Sequence, residues 1–248
     1  MMIKTLSGKA AIVTGGSRGI GAAIAVRLAE LGADVAITYA SRTDSAEAVA
    51  DRIRANGQRA LTLQADSADA VAVRGAVDQA AAAFGRLDIL VNNAGIFTSG
   101  TVEQVTLEDF DHIIAANVRG AFVASQAAAA HMGEGGRIIS IGSNLVGRVG
   151  RAGIGLYVMS KAALTGLSQS MARDLGARGI TVNIVHPGPT DTDMNPASTD
   201  RAAQARMAMA IPKYGEPAQI AGLVAWLASP EAQYATGGAY TIDGGTNT

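Results

Sequence analysis

The chain contains no cysteine, which excludes disulfides, thiolate nucleophiles and cysteine-ligated zinc or iron–sulfur centres. Its three histidines, His112, His131 and His186, are scattered in sequence and form no histidine metal motif, so no metal is expected. Each reads instead as an ordinary helix or strand-end residue. Charge of one sign is also missing: 20 Lys and Arg oppose 21 Asp and Glu, a formal net charge of −1. No basic field remains to hold a nucleic-acid backbone, and nucleic acid is not an expected partner. Nothing approaches the roughly 18 consecutive apolar residues of a membrane-spanning helix. The stretch from Met1 to Lys9 has neither a secretory apolar core nor an arginine-rich transit pattern. The expectation is a cytoplasmic protein without a membrane partner.

What the chain has in quantity is small or apolar: 48% of its 248 residues are hydrophobic, and 30 more are glycine. Short runs rich in Val and Ile alternate with longer Ala-rich segments, the pattern of strands and helices in a parallel sheet. Strands are expected at Ala10 to Val13, Asp34 to Tyr39, Arg59 to Gln64, Ile89 to Asn92, Gly136 to Ile141, Thr181 to His186 and Ala239 to Ile242. Their lack of polar alternation implies burial on both faces. Helices begin near Gly19, Asp44, Asp69, Thr106, Gly155 and Pro217. Thr106 followed by Asp109 resembles a capping box, and Pro217 suits a first helical turn. No linker or repeat divides the sequence. Residues 1–248 therefore read as one α/β domain of doubly wound Rossmann type, with a seven-stranded parallel sheet flanked by helices. The least regular stretch, Pro187 to Pro212, holds four of the six prolines and three methionines. Because it follows a strand's C-terminal end, it reads as a substrate lid.

The first strand runs into Thr14-Gly-Gly-Ser-Arg-Gly-Ile-Gly21 and then an apolar helix. Gly15, Gly19 and Gly21 would allow a tight turn, close approach of backbone to a pyrophosphate, and helix N–H groups facing the anion. A site selecting NAD usually places an acid at the end of the second strand, to bind the ribose hydroxyls. Here that region reads Ile37-Thr-Tyr-Ala-Ser-Arg42, with no carboxylate. Arg42 and Arg18 can bind a 2′-phosphate and Ser41 can donate to it, which favours NADP(H).

Tyr157 and Lys161 stand four apart in a segment of helical pattern, so both project from one face. An ammonium beside a phenol should lower the tyrosine pKa and make the group a usable acid or base. Ser143, just past the fifth strand, could polarise a carbonyl at the end of the sheet where ligands bind. Asn117 and the run from Asn92 to Gly95 read equally as structural helix or turn residues and as site residues.

Taken in order, these motifs resemble the short-chain dehydrogenase/reductase family over essentially the whole chain. The family's Thr-Gly-x-x-x-Gly-x-Gly appears at Thr14 to Gly21, and its Asn-Asn-Ala-Gly at Asn92 to Gly95. Its Tyr-x-x-x-Lys appears at Tyr157 to Lys161 and its Pro-Gly at Pro187 and Gly188. The resemblance implies catalytic roles for Asn117, Ser143, Tyr157 and Lys161, with Tyr157 protonating a carbonyl oxygen as hydride arrives from the nicotinamide. Lys161 would bind the nicotinamide ribose, and Asn117 would anchor a water on the proton path. Cofactor contacts are implied for Gly15, Ser17, Arg18, Gly19, Ile20 and Gly21 in the glycine turn, and for Tyr39, Ala40, Ser41 and Arg42 after the second strand. They are also implied for Asp66 and Ser67 at the adenine, and for Asn93, Ala94, Gly95, Pro187, Gly188 and Thr190, besides Tyr157 and Lys161. A homotetramer is implied too, through the helices from Thr106 and Gly155 and the segment Ala239 to Gly245.

Among relatives, the 3-oxoacyl-carrier-protein reductase docks an acidic carrier through basic residues before the fifth strand. Here Ala127 to Glu134 lacks Lys and Arg, and Arg178 alone could serve. A free small apolar ketone or aldehyde, or the corresponding secondary alcohol, therefore ranks above a carrier-bound acyl chain. Met194, Met207 and Met209 suit either an adaptable pocket or plain packing. Pro187 to Pro196 and Leu223 to Leu227 also resemble a subgroup of cyclic-di-GMP-binding biofilm-dispersal proteins, which keeps a ligand-responsive regulator as the alternative from another class.

Overall fold

Burial on both faces, expected from strands without polar alternation, holds for the five inner strands of the sheet, whereas the two edge strands, at residues 60–64 and 239–242, are partly exposed. The computed structural model describes residues 4–248, so the first three residues of the N-terminal segment lie outside it. The strands are β1 (Ala10–Val13), β2 (Asp34–Tyr39), β3 (Ala60–Gln64), β4 (Ile89–Asn92), β5 (Arg137–Ile141), β6 (Thr181–Pro187) and β7 (Ala239–Ile242). They form one parallel sheet in the order β3-β2-β1-β4-β5-β6-β7. The order reverses between β1 and β4. Connections on either side of that point leave toward opposite faces and open a crevice at the strands' C-terminal ends.

The helices are α1 (Gly19–Glu30), α2 (Thr43–Ala55), α3 (Ala70–Phe84), α4 (Leu107–Ile114), α5 (Gly120–His131), α6 (Gly155–Leu175), α7 (Asp200–Met207) and α8 (Pro217–Ala228). Successive strand residues feed opposite layers. Val13, Ile37, Val91 and Ile139 pack with Ile24 and Leu28 of α1, Ile53 of α2 and Val224 of α8. Ile12, Leu90, Ile138 and Val182 pack with Val77 of α3, Val123 of α5 and Ala172 of α6. Each valine, leucine or isoleucine among them, fully buried, stabilises the fold by roughly 1.5–3 kcal/mol relative to exposure.

Boundaries differ from the sequence reading by single residues, for local reasons. Arg59 precedes β3 because its N–H and guanidinium are both taken by the Asp34 carboxylate, at 2.8 and 2.7 Å. Gly136 closes a turn onto Gly133 instead of starting β5. The expected capping box is present: Thr106 Oγ1 accepts from the Asp109 N–H, and the Asp109 carboxylate accepts from the Thr106 N–H. Between α4 and α5, residues Ala115–Arg119 form a π-helical turn. The combined 25-residue rod is long and apolar enough to cross a membrane by length and composition, but 67% of its most apolar stretch is buried, as in a core helix.

The irregular segment after β6 contains α7, which the sequence reading did not anticipate. Met209 turns inward against Ala202 and Tyr214, whereas Met194 and Met207 are exposed, so the three methionines do not form one apolar set.

Candidate active site

The glycine turn is held by its neighbours across the crevice. Thr14 Oγ1 accepts the Asn93 and Ala94 N–H groups, both at 3.0 Å, and Asn93 Nδ2 donates to the Thr14 and Gly15 carbonyls at 2.9 and 3.0 Å. Gly15 has φ of 62°, and a Cβ there would stand 2.9 Å from the Ala94 Cα. A side chain on Gly21 would run into Asn93 and the Gly15 carbonyl. Helix α1 begins at Gly19 with no side-chain cap and no acid in its first turn. Its amides are left for an anion, as a pyrophosphate cradle requires. Ser17 and Ile20 border this turn, both half-buried.

Tyr39 is buried at the end of β2, and Ala40, Ser41 and Arg42 follow it in the open. Arg18 and Arg42 converge: each points a guanidinium nitrogen at the same carboxylate oxygen, that of Asp193, at 3.3 and 3.7 Å. Two cations aimed at one point, with no carboxylate at the C-terminal end of β2, form an arrangement suited to a phosphate. Asp66 is exposed and accepts the Ala68 N–H at 2.9 Å, while the Ser67 carbonyl lies against Gly120, where a side chain could not fit. At the other end, the Gly188 N–H donates to the Ile242 carbonyl, and buried Thr190 donates to the Gly188 carbonyl at 3.0 Å.

Tyr157 and Lys161 lie one turn apart on α6, with Lys161 Nζ 6.0 Å from the centre of the Tyr157 ring. Lys161 is buried and donates to the Ile141 carbonyl at 2.9 Å. Asn117 occupies the π turn. Its Oδ1 accepts the Ile96 N–H at 2.8 Å, and its Nδ2 donates to the Ile96 carbonyl and to Ser160 Oγ at 3.0 and 2.9 Å. A Cβ on Gly95 would stand 3.2 Å from both Asn117 Oδ1 and Lys161 Nζ, so these three residues meet at one place. Ser143 follows β5, and its side chain interacts with the Tyr157 hydroxyl.

The electrostatics depart from expectation. Tyr157 is partly exposed as a residue, but burial of its hydroxyl end pushes the phenol pKa above 10, with Ser143 pulling the other way. Lys161 does not lower the phenol. Burial instead lowers the ammonium's own pKa to about 8. The ammonium donates to the Ile141 carbonyl, and desolvation of the phenolate is the larger influence on the phenol.

His186, read from sequence as an ordinary strand-end residue, faces this site. Its Nδ1 accepts the Ser143 N–H at 3.1 Å, and its Nε2 faces Thr165 Oγ1 at 3.5 Å. Burial and the nearby Lys161 charge hold its pKa below the usual value, which keeps it neutral. Its place immediately before Pro187-Gly188 was the available signal. Phe97 was also missed: its ring lies 5.0 Å from that of Tyr157, and the Arg151 guanidinium lies 5.8 Å from Phe97. Arg178 donates to the Ala129 and Met132 carbonyls, both at 2.7 Å, and so caps α5.

Comparisons agree with this geometry. Residues 15–247 match the family described as "Enoyl-(Acyl carrier protein) reductase". A short chain dehydrogenase from Burkholderia cenocepacia, solved in complex with NADP, is 60% identical with a TM-score of 0.97, covering 98% of this chain and 100% of its own. The cyclic-di-GMP-binding biofilm dispersal mediator protein of Escherichia coli is 44% identical, over 96% of this chain and 97% of its own length. The 3-oxoacyl-acyl-carrier-protein reductase FabG of Staphylococcus aureus is 42% identical, over 96% and 97%. Sheet order, glycine turn, the clustered Asn117, Ser143, Tyr157 and Lys161, and these likenesses converge: the chain belongs to the short-chain dehydrogenase/reductase family of oxidoreductases.

Proposed function

We propose that the protein is an NADP(H)-dependent carbonyl reductase acting on a small ketone or aldehyde, and in reverse on the secondary alcohol. One observation carries this reading: Ser143, Tyr157 and Lys161 gather at the crevice end of the sheet, beside an uncapped glycine cradle. The NADP of the Burkholderia relative supports the cofactor. Gly15 to Gly21 would hold the pyrophosphate, Ser41 with the two arginines the 2′-phosphate, and Asp66 with Ser67 the adenine side. Asn93 to Gly95, Pro187, Gly188 and Thr190 would hold the nicotinamide end. When bound, the cofactor supplies or accepts the hydride. Tyr157, kept protonated by burial, donates its proton to the carbonyl oxygen in reduction. Ser143 donates a hydrogen bond to that oxygen, and neutral His186 fixes the Ser143 backbone. Lys161 supplies positive charge beneath the phenol, and Asn117 with the Ile96 carbonyl anchors the water that returns the proton. Residues 1–248 act as one catalytic unit with 187–212 as its lid.

A panel of ketones and aldehydes assayed with NADPH and NADH tests this reading. Turnover with NADPH is expected; tight binding of cyclic-di-GMP with no carbonyl reduced would favour a regulator instead. Lys161 sets the pH dependence. Its ammonium is charged below about 8 and discharges above it, whereas the phenol remains protonated. Reductive kcat should therefore hold steady through neutrality and fall as pH rises through 8. A profile flat to pH 10 would remove Lys161 from the role.

A second reading, an anionic substrate such as a carrier-bound acyl chain, is favoured by Arg151. It stands over Phe97, next to Tyr157, within electrostatic reach of Arg201 and, among the described residues, without a carboxylate within 4 Å. Arg151→Ala should raise KM for carboxylate-bearing ketones about tenfold and leave neutral ketones unchanged. Equal effects on both classes would discard this reading. We also propose a homotetramer, because Leu107 and Phe110 on α4, Phe122 on α5 and Met159 on α6 are exposed on the expected interface helices. A solution mass below four chains would contradict it.

A further inference from the structure

An acid that could discriminate against a 2′-phosphate is missing from the end of β2 but present on the opposite bank of the crevice. Asp193 lies in the loop after β6, and its Oδ2 stands 3.3 Å from Arg18 Nη1 and 3.7 Å from Arg42 Nη1. The loop holds it there. The Asn195 N–H donates to the Thr192 carbonyl at 3.0 Å, the Asp191 N–H donates to the Gly215 carbonyl at 2.9 Å, and the Thr192 methyl lies 3.4 Å from where a Cβ on Gly19 would stand. Asp193 is thus presented to the arginine pair by a turn built against the glycine cradle.

We propose that Asp193 is a cofactor-discrimination residue: a carboxylate carried by the lid that occupies the arginines available to a 2′-phosphate, and so tempers the preference for NADP(H) over NAD(H). The inference rests on the proposed reading of Arg18 and Arg42 as 2′-phosphate ligands. A phosphate arriving at the same two guanidinium groups must displace the carboxylate or sit beside it. Displacement gives up two ion pairs, and coexistence sets like charges together. A cofactor with a free 2′-hydroxyl meets neither cost and leaves the carboxylate in place. Asp193 is 61% exposed, so each pair is well solvated and the effect is several-fold, not thousands-fold.

The test uses adenosine fragments that differ only in the phosphate, titrated calorimetrically into the full chain. Asp193→Asn should bind 2′,5′-ADP about three- to tenfold more tightly than the native chain and 5′-AMP equally well. Unchanged or weaker 2′,5′-ADP binding in Asp193→Asn overturns the proposal, and so does equal tightening of both fragments. Arg42→Ala, measured beside it, separates the two layers. If it weakens 2′,5′-ADP while Asp193→Asn has no effect, only the role of Asp193 falls. If Arg42→Ala changes nothing, the arginine reading falls and the role of Asp193 with it.

Discussion

Tyr157→Phe should bind NADPH as the native chain does and reduce carbonyls about 10²- to 10⁴-fold more slowly, the range a lost general acid gives. The substitution removes one oxygen and keeps the ring, so the contact with Phe97 at 5.0 Å survives. The hydroxyl's protein partner is Ser143, which keeps its own bond from the Leu145 N–H at 3.3 Å. Stability should therefore change by no more than about 1 kcal/mol. Cofactor binding followed by NADPH fluorescence, and turnover followed by absorbance, separate the two effects. A variant that retains a tenth of native kcat would mean that another group donates the proton.

The second large effect is on cofactor choice. Arg42→Glu should weaken NADPH about 10- to 100-fold and NADH little, because a charge-assisted bond to phosphate contributes about 1.5–3 kcal/mol and each 1.4 kcal/mol is tenfold. The side chain is 60% exposed at the start of α2, and among the described residues its ion pair is with Asp193. The fold therefore loses little when the charge is reversed. Glutamate at that place would also repel the phosphate directly. An equal loss for both cofactors, measured as Kd, would contradict the assignment of Arg42 to the 2′-phosphate.

How much of this was legible in the sequence depended on how local the cause is. The strands could be read because sandwiching between helix layers demands unbroken runs such as Ala10 to Val13, and only ends decided by side chains, such as Arg59 on Asp34, shifted. The capping box of α4 was readable because Thr106 and Asp109 satisfy each other within one turn. The π turn was not, since one extra residue per turn leaves no mark on an Ala-rich pattern. Its effect is to set Asn117 between Ile96 and Ser160, two partners far away in sequence. Spacing gave the common face of Tyr157 and Lys161 but neither their separation nor their burial. The direction of the phenol's shift depends on both, and so the sequence reading had its sign reversed. His186 and Asp193 escaped notice for a related reason. Each acquires its role from a loop on another strand, Ser143 for the one and the arginines after β1 and β2 for the other.

In the proposed reaction this crevice delivers a hydride to a carbonyl carbon while Tyr157 protonates the oxygen. Its most direct test supplies the native chain with NADPH deuterated at both C4 positions of the nicotinamide, together with a ketone that the panel shows to bind. One deuterium on the carbinol carbon of the product alcohol is expected, in proportion to cofactor oxidised. Cofactor bound and intact, or oxidised with no label in the alcohol, would contradict it.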